Sequence, residues 1–164
     1  MKSKGIPFPL KILICVLTIE ILGGASGFLT SQSIGGWYAD LNKPAGNPPN
    51  WVFGPVWTAL YAMIGVSFAL VWQRGFGERE GKIALTLFLI QMTLNLAWTP
   101  IFFGLHWMLV ALVVILLLWF AILATIFAFR KRSALAAGLL VPYLIWVGYA
   151  SYLNAAYWFL NRAS

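Results

Sequence analysis

Apolar residues in this chain come in long unbroken runs, without the strict alternation of a half-buried strand. Five such stretches cover roughly 9–32, 51–73, 81–103, 107–129 and 134–158 of the 164 residues. Each is close to the ~20 residues that carry a helix across a ~30 Å hydrocarbon core. The pattern predicts an all-α membrane protein: a single domain, 1–164, folded as a five-helix transmembrane bundle, with the segment 33–50 joining the first two helices. Inside the runs, aromatic and amide residues recur at helical spacing. Trp57, Tyr61, Gly65 and Phe68 fall on one stripe of the second helix, and Gln91, Asn95, Trp98 and Phe102 on one stripe of the third. Tyr143, Trp146, Ala150, Leu153, Asn154 and Tyr157 do the same on the fifth. At 1.5 Å rise per residue, Trp57 lies roughly 9 Å, Asn95 about 12 Å and Trp146 roughly 18 Å in from the same side, so they share a depth range. Lipid cannot satisfy the amides of Gln91, Asn95 and Asn154, which must face protein, water or ligand. Helix packing and a cavity for a flat, mostly apolar molecule both fit these stripes. Trp51, Trp72, Trp107 and Trp158, near helix ends, read as an interfacial belt.

Composition agrees with a membrane and charge orients the chain in it. The sequence is 62% hydrophobic and 9% charged, with too few polar groups to cover a soluble globule. The net charge of +7 is not a nucleic-acid footprint, because its positions alternate loop by loop. Lys2, Lys4 and Lys11, then Arg74, Arg79 and Lys82, then Arg130, Lys131 and Arg132 fall on one side, against Lys43 and Arg162 on the other. That asymmetry puts the N-terminus in the cytoplasm and the C-terminus outside. A basic start, an apolar run and small residues also fit a signal peptide, but Glu20 interrupts the run, and the first helix is read as retained. In a bundle Glu20 belongs on the inward side, neutral or hydrogen-bonded. Cys15 is alone, so no disulfide forms within one chain, and His106 beside Trp107 reads as an interfacial turn residue. With one histidine and four acids, Glu20, Asp40, Glu78 and Glu80, no metal cluster, Ser/His/Asp arrangement or phosphate loop can be assembled. Conventional acid/base or metal catalysis has little to work with and no obligatory cofactor is expected. Active transport lacks support as well, since five spans hold no inverted repeat and no nucleotide motif.

The stretch 37–61, WYADLNKPAGNPPNWVFGPVWTALY, sets a Trp/Pro-rich and almost uncharged loop against an apolar helix. Pro44, Pro48, Pro49 and Pro55 each fix φ and remove a donor, which makes a stiff, mostly extended cap, with Pro55 tolerable in the first turn of the following helix. Trp37, Pro48, Pro49 and Trp51 are its candidate lid residues. These motifs resemble the signature of the TspO/MBR family, the tryptophan-rich sensory or translocator proteins. So do Glu20-x-x-Gly23-Gly24-x-x-Gly27, Gln91-x-x-x-Asn95-x-x-Trp98 with Phe102-Phe103-Gly104, and Pro142-Tyr143-Leu144-x-Trp146 with Leu153-Asn154. The resemblance covers nearly the whole chain. It implies a five-helix membrane protein, usually a dimer, that binds porphyrins such as protoporphyrin IX, and in some members sterols and synthetic ligands, under the first loop. Pocket roles carry over to Tyr38, Trp57, Asn95, Trp146 and Ala150, with Tyr61, Trp98 and Leu153 as further lining. A tetrapyrrole sensor or carrier is the leading expectation. The competing one is a light-dependent porphyrin-degrading enzyme in which Trp57 and Trp146 donate electrons. Sterol binding is disfavoured, because animal members place a tyrosine directly after the Leu-Asn pair where this chain has Ala155. Gly23-x-x-x-Gly27 offers a face for a homodimer, and equally room for another helix or a ligand within one subunit. A bacterial member in the cytoplasmic membrane is expected, with an outer membrane as the alternative.

Overall fold

The computed structural model describes residues 5–163; Lys2 and Lys4 of the N-terminal basic group lie outside the described residues. Five helices are long and apolar enough to cross a membrane: α1 Phe8–Ile34, α2 Asn50–Arg74, α3 Arg79–Gly104, α4 Met108–Arg130 and α5 Ala134–Asn161. The described residues contain no strand. Their side chains explain the ends. Pro9 and Pro55 sit in the first turns of their helices, where no intrahelical N–H is lost. Gly75 stops the helical part of α2 at φ 81°, a conformation that suits a residue without Cβ. Ser133 caps the start of α5 by accepting from the Ala136 N–H at 3.2 Å.

Two helices are less regular than their apolar runs predict. The last turn of α3, Pro100–Gly104, is wound as a π-helix, and the Phe103 carbonyl accepts instead from the Ser33 hydroxyl of α1 at 2.6 Å. In α5 the ladder is interrupted at Leu140, two residues before Pro142, so Ala134–Leu139 and Val141–Asn161 are separate helical pieces. The connection 35–49 is also not extended throughout: Trp37–Asp40 forms a single helical turn before the chain straightens through the prolines.

The helices close into a ring in which α1 packs on α2, α2 on the first piece of α5, α5 on α4, α4 on α3, and α3 back on the end of α1. Gly65 makes the α1–α2 contact close, since a Cβ there would lie 2.7 Å from the Val16 Cα. One apolar core runs from Ile64, Phe88 and Phe129 through Ile122 to Tyr143 and Val147. A second, smaller one at the other end collects Tyr38, Phe102, Phe103, Leu153 and Tyr157. Leucine and phenylalanine side chains on α1 and α4, among them Leu17, Phe28, Leu117 and Phe120, stay exposed, as a lipid-facing surface requires. The end that carries Arg74, Glu78 and Arg132 is the one the charge pattern assigns to the cytoplasm.

Candidate ligand-binding cavity

Near the other end, α1, α2, α3 and α5 enclose a cavity of about 370 Å³, within the range of small-molecule sites. Trp57 and Tyr61 of α2, Trp98 of α3, and Trp146 and Ala150 of α5 form its walls, with Glu20, Gly23, Gly24 and Gly27 along α1. Asn50, Trp51 and Ile34 stand at the mouth. Aromatic packing sets the rings. Trp57 stacks on Tyr61 with centroids 5.3 Å apart, Trp146 meets Phe53 edge-on at 6.2 Å, and Trp98 stacks on Phe102 at 5.5 Å.

Behind the walls, hydrogen bonds hold those rings in place. The Tyr61 hydroxyl donates to Asn95 Oδ1 at 3.0 Å, Asn95 Nδ2 donates to the Tyr143 hydroxyl at 2.8 Å, and that hydroxyl donates to Gln91 Oε1 at 2.8 Å. Asn95 is 3% exposed and lies off the wall, so in this structure it anchors Tyr61 from behind. Trp98 is fixed likewise: its indole N–H donates to Asn154 Oδ1 at 3.0 Å, and Asn154 Nδ2 donates to the Met108 carbonyl at 2.8 Å. Trp146 differs. Its Nε1 is buried and has no hydrogen-bond partner, leaving a donor on a wall residue to be satisfied.

The remaining residues singled out from sequence sit elsewhere. Tyr38 and Leu153 belong to the second core, not to the cavity surface. There the Tyr157 hydroxyl donates to that of Tyr38 at 2.8 Å, and the Tyr38 hydroxyl to Asn47 Oδ1 at 3.3 Å; burial pushes the Tyr38 phenol above its usual pKa. Trp37 stacks on His106, centroids 4.0 Å apart, while His106 occupies a turn at φ 61°. Pro48 and Pro49 line a shallow surface depression with Lys43 and Asn47. Of the four lid candidates only Trp51 touches the cavity, and it stands 74% exposed at the mouth. Gly23 is filled from within: a Cβ there would run into the Tyr61 ring, which is the second of the two uses open to these glycines. Gly27 borders the cavity with nothing within 4 Å of where a Cβ would stand. Among the described residues no group of three or more His, Cys, Asp or Glu could hold a metal ion.

Sequence reasoning missed what holds the loop. Tyr149 and Tyr152 on α5 donate to the Gly46 and Ala45 carbonyls, the second at 3.0 Å, and Asn161 and Asn42 exchange two hydrogen bonds at 2.8 and 3.1 Å. The only signal in the sequence is the Tyr149-x-x-Tyr152 spacing, which falls off the analysed stripe.

Five apolar helices, four of them around a tryptophan-walled cavity, define a multi-pass integral membrane protein. Residues 13–159 match the model of the TspO/MBR family, and the chain belongs to that family. It is 43% identical over 145 residues to the tryptophan-rich protein TspO of Chlorobaculum tepidum, covering 88% of this chain and 92% of that protein. It is 47% identical over 124 residues to the human translocator protein, covering 74% and 73%. With the tryptophan-rich sensory protein of Cereibacter sphaeroides it shares 42% identity over 118 residues, 72% of each chain.

Proposed function

We propose that this protein is a membrane receptor or carrier that binds a porphyrin-type tetrapyrrole in the cavity between α1, α2, α3 and α5. The observation that carries the reading is the wall itself. Three indoles from three helices, Trp57, Trp98 and Trp146, line one space, and the buried N–H of Trp146 lacks an acceptor. Flat π-surfaces on several sides suit a flat conjugated ring. The sensory and translocator names of the relatives fit a role in recognising or moving a ligand. Gly24 and Gly27 on α1 border the cavity with nothing within 4 Å of where a Cβ would stand, which leaves room there for part of a large ring. Cavity residues of one subunit suffice for this contact set, and a homodimer of such subunits belongs to the proposal as its assembly state.

The test is an absorbance and tryptophan-fluorescence titration of the purified protein with protoporphyrin IX. Stacking on the walls quenches tryptophan emission, and Trp57→Ala and Trp146→Ala each weaken binding about tenfold or more. If both variants keep the parent affinity, the tetrapyrrole reading of this cavity is wrong.

A further inference from the structure

The cavity has one charged residue on its surface, Glu20. Among the described residues its carboxyl has neither a hydrogen-bond nor an ion-pair partner. The nearest lysine along α1 is committed elsewhere: Lys11 Nζ donates to Gln73 Oε1 at 3.0 Å and stands 5.3 Å from the Trp72 ring centroid.

Four hydroxyls on the wall have their protons engaged away from the cavity. Thr30 donates its hydroxyl proton to the Ser26 carbonyl at 3.4 Å, Ser31 to that of Phe28 at 2.7 Å, and Thr58 to that of Gly54 at 2.9 Å. Tyr61 donates to Asn95. The first three protons are taken up by backbone carbonyls of their own helices and that of Tyr61 by Asn95 behind the wall, so none of the four is donated to the cavity. Around them stand the indoles of Trp57, Trp98 and Trp146, whose ring faces carry a negative quadrupole. A carboxyl with no partner, which a cation can pair with and hold ionised, beside three tryptophan rings provides the components of a site for an organic cation.

We propose that the cavity recognises flat aromatic molecules carrying a protonated nitrogen, with Glu20 as counter-ion and the tryptophan faces as the cation–π wall. This rests on the reading of the cavity as a ligand site, and it adds a polarity to it. An anionic substituent must point away from Glu20 toward the mouth at Asn50 and Trp51, whereas a cationic group fits against α1. Glu20 is then the residue that sets ligand charge and orientation.

The experiment compares two dyes of one ring system, 9-aminoacridine, protonated at neutral pH, and acridine, neutral there. The protein sits in phosphatidylcholine nanodiscs, tryptophan quenching is the readout, and protein-free discs are subtracted. The parent protein should bind 9-aminoacridine about tenfold or more tighter than acridine. Glu20→Gln should bring the two affinities together, and Glu20→Asp should keep most of the preference. Equal affinities in the parent, or an unchanged ratio in a folded Glu20→Gln variant, overturns the proposal. If Glu20→Gln fails to fold, the parent ratio decides alone. Dye selectivity that depends on Glu20 without protoporphyrin binding supports this inference and rejects the tetrapyrrole reading. Protoporphyrin binding without dye selectivity does the reverse.

Discussion

Tyr61 joins two surfaces through one side chain: its ring forms part of the cavity wall and fills the space over Gly23, while its hydroxyl is tied to Asn95. Removing that hydroxyl leaves a buried acceptor on Asn95 and shortens the chain that ends at Gln91. Tyr61→Phe should therefore lower stability by about 1–3 kcal/mol, read as a shift in the thermal or denaturant unfolding midpoint in detergent. The two glycines should separate in the same assay. Gly23→Ala forces the Tyr61 ring to move and should cost about 1–3 kcal/mol, the usual range for overpacking. Gly27→Ala, with open space at its Cβ, should stay within about 0.5 kcal/mol. Equal effects would mean that Gly23 does not carry the α1–α2 contact. The sequence already showed which residues share a face, because helical spacing fixes direction. It did not show depth along that direction. Trp57 and Asn95 read alike as stripe residues, yet Trp57 is on the wall and Asn95 behind it, a difference decided by the Tyr143 hydroxyl on another helix.

At the scale of elements, the first loop is tied to α5 by tyrosine and asparagine side chains as well as stiffened by its own prolines. Backbone carbonyls at Ala45 and Gly46 accept from Tyr152 and Tyr149, and Asn47 from Tyr38. The Tyr149 and Tyr152 contacts join positions more than a hundred residues apart and use main-chain acceptors, which no residue pattern in the loop can announce. The prolines were legible because φ restriction is local. Two variants distinguish the contributions. Tyr149→Phe combined with Tyr152→Phe removes two of the loop's ties to α5 but leaves the α5 backbone and aromatic packing intact, and should speed protoporphyrin release several-fold in stopped-flow with little change in helicity. Replacing Pro48 and Pro49 by Gly should act in the same direction by widening the conformations of the released loop. An unchanged release rate in the tyrosine pair would show that the loop does not gate the cavity. The π-wound end of α3 belongs to this scale too. Pro100 was visible in the sequence, but the recovery of the Phe103 carbonyl by Ser33 depends on how closely α1 passes that turn.

Across the whole molecule, the two ends are built for different tasks. The cavity, the loop and the tyrosine network occupy one end. The opposite end is closed by Arg132, whose side chain is only 9% exposed. It donates to Glu78 at 2.7 Å and to the Arg74 and Gly75 carbonyls at 2.8 and 2.9 Å, satisfying acceptors where α2 stops. In the sequence Arg132 was one of nine basic residues that oriented the bundle; charge counting gives topology and cannot tell a cation that faces water from one drawn inward. The five spans were legible because lipid demands long apolar runs. The order in which the helices meet around the ring was not, since runs of leucine and valine carry no record of their neighbours. This division of labour makes a whole-molecule prediction. Arg132→Ala leaves two carbonyls and Glu78 without their donor and should lower the unfolding midpoint by the equivalent of about 1–3 kcal/mol. Arg132→Lys should recover only part of it, because one ammonium on a flexible stem cannot serve three acceptors in the fixed fork geometry of a guanidinium. Protoporphyrin affinity of the folded fraction should match the parent in both variants, since no ligand-facing residue is touched. An affinity loss that tracks the stability loss would show that the two ends are coupled, with α2 transmitting the change from Arg74 up to Trp57.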